Sequence, residues 1–115
     1  MSNRADIEAL LPLPPAAYHI LLVLSTGDRH GYGMSQDVET ATGGAMRLSP
    51  GTLYRTIQRL LEQGLITEPR VVTIDPRRRS YRLTPFGLAV ARAESARLAE
   101  LVRLAEGAGL LLEGT

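Results

Sequence analysis

The sequence predicts a mainly α fold of the α+β class: three helices, a two-stranded hairpin, then one long helix. Three observations carry that expectation. Apolar residues recur at three- and four-residue spacing between recognisable helix starts and stops. After residue 64 the pattern turns β-branched and alternating, which is the period of a strand. A hydroxyl residue followed by proline opens two of the helices, at Ser49-Pro50 and at Thr84-Pro85. At 115 residues and 44% hydrophobic content, the chain has room for one domain plus an appended element.

Residues 1–13 mix charges and prolines and are expected to form a loose N-terminal arm or a short turn of helix. Pro14-Pro15 opens a first helix through about residue 25. From Ile20 to Leu24 that helix is apolar all round, so more than one surface must cover it. Thr26-Gly27-Asp28 ends it in a turn, and His30-Gly31-Tyr32-Gly33 reads as a tight helix–helix junction. A phosphate-loop reading of those glycines fails, because no G-x-x-x-x-G-K-[ST] spacing exists and no strand precedes them. The second helix is expected from Met34 to about Thr42, with Met34, Val38 and Ala41 inward and Gly43-Gly44 as its stop.

The third helix has both ends written out. Ser49 can cap it, Pro50 occupies the first position, and Gly64 supplies the left-handed stop. Leu53, Ile57, Leu60 and Leu61 form the inner stripe. Thr52, Arg55 and Arg59 recur on the other face. A solvated surface would need polar residues there in any case. This arc, however, has arginine and short hydroxyls with only Glu62 at its far end. Arginine offers a planar fork to guanine edges or phosphates, and threonine reaches phosphates or a thymine methyl.

Beyond Gly64, residues 65–68 and 71–74 read as a strand, and residues 80–84 as its return partner. Between them lie the turn dipeptide Asp75-Pro76 and the triplet Arg77-Arg78-Arg79. Three like charges in a tight turn repel one another, and a phosphate counter-charge relieves that. Thr84 then caps a last helix to about residue 106, followed by a short tail over 108–115. Ala91, Ser95, Leu98, Val102 and Ala105 alternate four and three apart along it, and Leu101 and Leu104 widen the apolar arc. The divisions are therefore an arm (1–13), a core domain (14–84), a long helix (85–107) and a tail.

Charge and composition narrow the function. From Arg47 to Arg82 there are eight arginines against Glu62, Glu68 and Asp75, a net +5; the remainder holds five arginines against nine acids, a net −4. One basic face on an acidic body fits a polyanion partner. With no cysteine, disulfides, thiolate metal sites and thiol catalysis are excluded. No apolar run approaches the ~18 residues of a membrane span, and no signal-peptide layout opens the chain, so a cytoplasmic protein without membrane contact is expected. His19 and His30 have no helically spaced partner, and no G-x-S-x-G nucleophile occurs. Neither a metal, a cofactor nor an enzyme activity is expected.

Three helices followed by a hairpin is the winged helix-turn-helix arrangement. His30-Gly31-Tyr32-Gly33, Leu48 through Arg55, Leu60 through Ile66, and Arg79 through Gly87 together resemble the PadR family of bacterial transcriptional regulators, in a small form with a single C-terminal helix. That resemblance covers roughly residues 15–106 and implies a homodimeric repressor on a palindromic double-stranded DNA operator. The implied DNA contacts are Ser49, Gly51, Thr52, Tyr54, Arg55 and Arg59 from the third helix, with Arg77, Arg78 and Arg79 from the wing. The implied dimer contacts are Leu21 and Leu24 of the first helix and Leu98, Leu101, Val102, Leu104 and Ala105 of the last. A candidate pocket for a small-molecule effector, of unnamed chemistry, lies between those helices near Tyr18 and His19. The alternative reading is a winged-helix module that binds protein, which would require an apolar, charge-poor centre on the same face. An RNA binder would interleave exposed aromatics with the arginines, and only Tyr54 and Tyr81 lie near.

Overall fold

The computed structural model describes residues 4–69, 74–75 and 78–111. The elements in order are α1 (Arg4–Glu8), α2 (Pro15–Leu24), β1 (Arg29–His30), α3 (Gly31–Ala41), α4 (Pro50–Glu62), β2 (Ile66–Thr67), β3 (Ser80–Leu83) and α5 (Pro85–Gly107). The strand expected over residues 71–74 and the turn at Pro76-Arg77 lie outside the described residues, Ile74 and Asp75 excepted.

The core is aliphatic, as an aromatic content of 4% requires. Ile20, Leu21 and Leu24 of α2 meet Met34 of α3, Leu53, Ile57 and Leu60 of α4, and Val90 and Ala91 of α5. Each side chain of this kind contributes about 1.5–3 kcal/mol on burial. Tyr81 is buried too, as the inward residue of β3. Leu21 and Leu24 were expected at a partner-facing surface, and their burial inside this core corrects that. Leu21 is 0% and Leu24 3% exposed, which leaves them next to no surface to offer a second chain, whereas Leu22 in the same stretch is 43% exposed.

Helix ends follow the expected chemistry. Ser49 Oγ accepts the Thr52 N–H at 3.2 Å. At the other end of α4, Gly64 takes φ +73°, the Leu65 N–H returns to Leu60 O at 3.0 Å, and the Gly64 N–H reaches Leu61 O at 3.1 Å. Together these close a Schellman turn with Leu65 as its apolar plug. Thr84 caps α5 by accepting the Gly87 N–H at 2.9 Å, and its own hydroxyl donates to Gly64 O at 2.7 Å.

Three features differ from expectation. The antiparallel sheet has three strands in the order β1-β3-β2, with Arg29 opposite Tyr81 and Ile66 opposite Leu83. β1 occupies residues expected in the helix–helix junction, and α3 begins at Gly31, three residues early. The reason is the ladder: the Gly31 N–H donates to Arg79 O at 3.2 Å, which fixes His30 in an extended conformation as the residue before the helix. Of the two forms expected for the N-terminal residues, the short turn of helix is the one observed, as α1, and residues 4–13 are docked rather than loose. Leu13 is buried, and Ile7, Leu10 and Leu11 are packed against the core. The Leu13 N–H donates to Glu94 Oε2 at 2.9 Å, and Arg97 Nη2 donates to the same oxygen at 3.0 Å. Glu94 itself is only 2% exposed. A buried carboxylate needs such partners to offset its desolvation. The Arg97 hydrogen bond, aided by the Leu13 amide, accordingly holds its pKa below the ordinary value despite burial.

α5 has two halves. Gly87, Val90, Ala91 and Glu94 are buried in the first. In the second, no described side chain is fully buried, and Leu101, Val102 and Leu104 are 48%, 50% and 61% exposed. Its 23 residues span about 35 Å at 1.5 Å each, so the second half projects beyond the domain.

Candidate nucleic-acid interface

α4 sets the geometry of the exposed basic face. Its inner stripe fixes the rotation of the helix, so Gly51, Arg55, Gln58, Arg59 and Glu62 follow one exposed arc. Thr52 and Tyr54 border it, half-buried, and Tyr54 packs partly on the core. Ser49 Oγ, besides capping, donates to Thr52 Oγ1 at 3.1 Å. That leaves the Thr52 hydroxyl proton available to an outside acceptor. Pro50 has no N–H, so the first amide of the helix belongs to Gly51. Gly51 is exposed, at the start of the arc that carries Arg55 and Arg59.

Charges along α4 are poorly neutralised. Glu62 accepts from Gln58 Nε2 at 3.2 Å. Among the described residues, neither Arg55 nor Arg59 has a carboxylate within ion-pair distance. Two exposed guanidinium groups one turn apart, with no ion-pair partner among the described residues, can grip an acceptor without first breaking such a pair.

The wing arginines divide by role. Arg77 lies outside the described residues. Arg78 is 81% exposed, with Asp75 no closer than 4.0 Å. Arg79, expected to act like its neighbours, is instead largely covered and paired with Glu68 at 3.5 Å. Glu68 is itself mostly buried, and its Oε2 has no hydrogen-bond partner among the described residues. A carboxylate so placed needs a counter-charge, which makes Arg79 a brace for the base of the hairpin. Arg82, which no sequence signal singles out, donates from Nε and Nη2 to the two oxygens of Asp28 at 3.1 and 2.9 Å. That fork ties the central strand to the turn before β1 and holds the Asp28 carboxyl below its usual pKa.

Tyr18 and His19 lie on the half-buried side of α2. The Tyr18 hydroxyl is hydrogen-bonded to Ser95 Oγ at 2.8 Å and so fastens α2 to α5. The Tyr18 and His19 rings meet edge-on, with centroids 6.0 Å apart. His19 also lines a cleft of about 360 Å³ between α2 and α3 with Leu22, Val23 and Asp37.

A helix–turn–helix pair whose second helix presents an open N-terminus and a basic arc, flanked by a small antiparallel sheet, defines the winged-helix class. Comparison with known proteins supplies the family. The model of the transcriptional regulator PadR-like family matches residues 20–93, and the chain belongs to that family. The transcriptional regulator Rv3488 of Mycobacterium tuberculosis is 36% identical over 85 residues, covering 74% of this chain and 77% of that one. Two solved structures share the fold at 22% identity. A PadR-like transcription factor from Bacteroides fragilis superposes with a TM-score of 0.70, covering 89% of this chain and 97% of that one. A transcriptional regulator from Clostridium thermocellum gives 0.69, covering 93% and 97%. The protein is thus a transcriptional regulator and not an enzyme. Among the described residues, no helix is long and apolar enough to cross a membrane.

Proposed function

We propose that this regulator is a homodimeric repressor that binds a palindromic DNA operator, with α4 in the major groove and the hairpin along the backbone. The observation that carries the reading is the α4 arc. Arg55 and Arg59, with no carboxylate in ion-pair distance among the described residues, lie on the same exposed arc of one helix as Gly51 at its start. In this arrangement Arg55 and Arg59 address guanine edges, where a bidentate fork discriminates between bases. The Gly51 amide and the Thr52 and Tyr54 hydroxyls take phosphates at the groove edge, with Ser49, whose proton goes to Thr52 Oγ1, orienting the Thr52 hydroxyl. Arg78, with Arg77 beside it, supplies charge to the backbone next to the groove.

Dimerisation follows from what α5 leaves uncovered. Leu98, Leu101, Val102 and Ala105 fall at three- and four-residue spacing on one side of the projecting half, with Leu104 widening it. Soluble monomers avoid leaving such a stripe in water. A second copy, contributing its own α5 and the exposed Leu22 of its α2, would cover it. Two-fold symmetry would set the two α4 helices about 34 Å apart, one turn of duplex. The protein-interaction alternative finds no support on α4, whose exposed centre is charged rather than apolar.

Selection of bound sequences from a random duplex pool tests the proposal. The expected product is an inverted repeat with half-site centres about 10 base pairs apart. A pool that remains unenriched, or one enriched in a single unrepeated site, overturns it.

A further inference from the structure

We infer that Arg47 is a further contact to the DNA backbone, and that Glu39 withholds it while the protein is free. Binding exchanges the Glu39 carboxylate for a phosphate at the entrance to α4. The inference rests on the DNA-binding reading above and adds to it one contact and the counter-ion that opposes it.

The turn between α3 and α4 fixes the point from which Arg47 projects. The Met46 N–H donates to Thr42 Oγ1 at 3.0 Å, and the Ala45 N–H donates to Thr42 O at 3.1 Å. On the other side, Leu48 is packed against the core. Arg47 therefore leaves a backbone anchored before and after it, two residues ahead of the Ser49 cap. Its side chain is 77% exposed. A cation rooted there stands beside the helix end that the reading above sets against phosphate, while its guanidinium is free to swing.

In the free protein Arg47 Nε lies 3.3 Å from Glu39 Oε1. Glu39 stands in the last turn of α3, which holds no basic residue and where the helix dipole disfavours an acid. Helix stability therefore does not account for a carboxylate at this position, and its bond to Arg47 is what it contributes. Both side chains are at least half exposed, so solvent screens the pair. Exposed pairs of this kind shift an equilibrium by only about 1.4- to 5-fold. A duplex presents about one phosphate per 1.7 Å of its axis, a charge density that one carboxylate does not match. The exchange accordingly runs toward DNA, against a small opposing term set by Glu39. Phosphates carry no sequence information, so Glu39 lowers the affinity for every duplex by a similar factor. Arg55 and Arg59, with no carboxylate in ion-pair distance among the described residues, carry no such restraint.

Fluorescence-anisotropy titrations of the full-length protein, with a selected duplex and with a random one over a series of salt concentrations, test the exchange. Arg47→Ala should lower the slope of log K against log salt by about 0.9 for each chain bound, equally on both duplexes. Arg47→Lys should restore that slope, because a phosphate accepts a point charge. Glu39→Gln should tighten both duplexes, and for each chain bound by about 1.4- to 5-fold more in the wild-type background than in the Arg47→Ala background. Urea midpoints should stay at the wild-type value, since the pair is exposed; if Arg47→Ala falls, Arg47→Gln, which keeps the stem, carries the slope measurement. An unchanged slope in a protein that still binds duplex removes Arg47 from the DNA. Equal gains from Glu39→Gln in the two backgrounds reduce Glu39 to one acid in a general field and overturn the exchange. A loss of affinity on Glu39→Gln overturns it too, and means that the carboxylate positions Arg47 instead of withholding it. A wild type that binds neither duplex removes the DNA reading, and the exchange falls with it.

Discussion

Gly87→Ala isolates the contact that seats α5 on the domain. A Cβ at this position would lie 1.9 Å from Leu65 O and 2.9 Å from Leu65 C, both backbone atoms at the end of the α4 turn. Ordinary contact begins near 3.4 Å, so the start of α5 must retreat by about 1.5 Å. No rotamer change relieves a clash with backbone. The same retreat stretches the Thr84 N–H to Leu65 O hydrogen bond, now 3.1 Å, and the Thr84 hydroxyl contact to Gly64 O. Overpacking of this kind costs about 1–3 kcal/mol, and each weakened hydrogen bond adds up to about 1 kcal/mol. For a domain of this size, where 1 kcal/mol shifts Tm by about 4 °C, a total of ~2–5 kcal/mol lowers Tm by ~8–20 °C. Scanning calorimetry reads this directly. Gly33→Ala is the matched control: it lies inside α3 with nothing within 4 Å of its Cβ position, and should be neutral or raise Tm slightly. A Gly87→Ala protein melting within about 2 °C of wild type, on the same scale of ~4 °C per kcal/mol, would refute the close-approach argument.

Arg55→Ala should cost about 1–3 kcal/mol on the selected operator and relax preference at one position per half-site, as read by competition binding; equal weakening on operator and random duplex would reduce Arg55 to a phosphate contact. Arg78→Ala should lower the slope of log K against log salt by about 0.9 for each phosphate that Arg78 neutralises, with specificity kept. Arg79→Ala should act mainly on stability, because it leaves Glu68 buried without its partner; an unchanged urea midpoint would place Arg79 on the DNA side instead. The Glu94 carboxyl is held below its ordinary value of 4.5, so its contribution to stability is fully present above that pH and is lost as pH falls through the lower folded value. Wild type should therefore lose stability below pH 4.5 through a component that Glu94→Gln lacks, and parallel urea midpoints for the two proteins over that range would contradict the assignment.

What could be read from the sequence was what local rules decide. Ser49, Gly64 and Thr84 announce helix ends through their own backbone chemistry, and the structure puts each end within a residue or two of its signal. The arc of Arg55 and Arg59 was legible for the same reason, since the inner stripe fixes the opposite face. What escaped depends on partners distant in the chain. Arg29 and His30 become a strand only because β3 lies beside them, and two residues carry no period of their own. Glu94 looked like any surface glutamate in a long helix; its role comes from Leu13, 81 residues away. An all-apolar stretch such as residues 20–24 says that much must be covered, but not by what. The chain's own α3, α4 and α5 cover Leu21 and Leu24, leaving Leu22 exposed and Val23 half-buried. Arg77, Arg78 and Arg79 were indistinguishable as a triplet, and Glu68 separates the last from the others.

The central claim is that two copies act together on one symmetric site. Sedimentation of a fluorescent duplex bearing the selected inverted repeat, with the full-length protein titrated in, measures it in one experiment. The account predicts a direct passage from free duplex to a complex carrying two 12.5 kDa chains, with no one-chain species between. A stable complex of one chain per duplex, or a duplex that sediments free throughout, would contradict it.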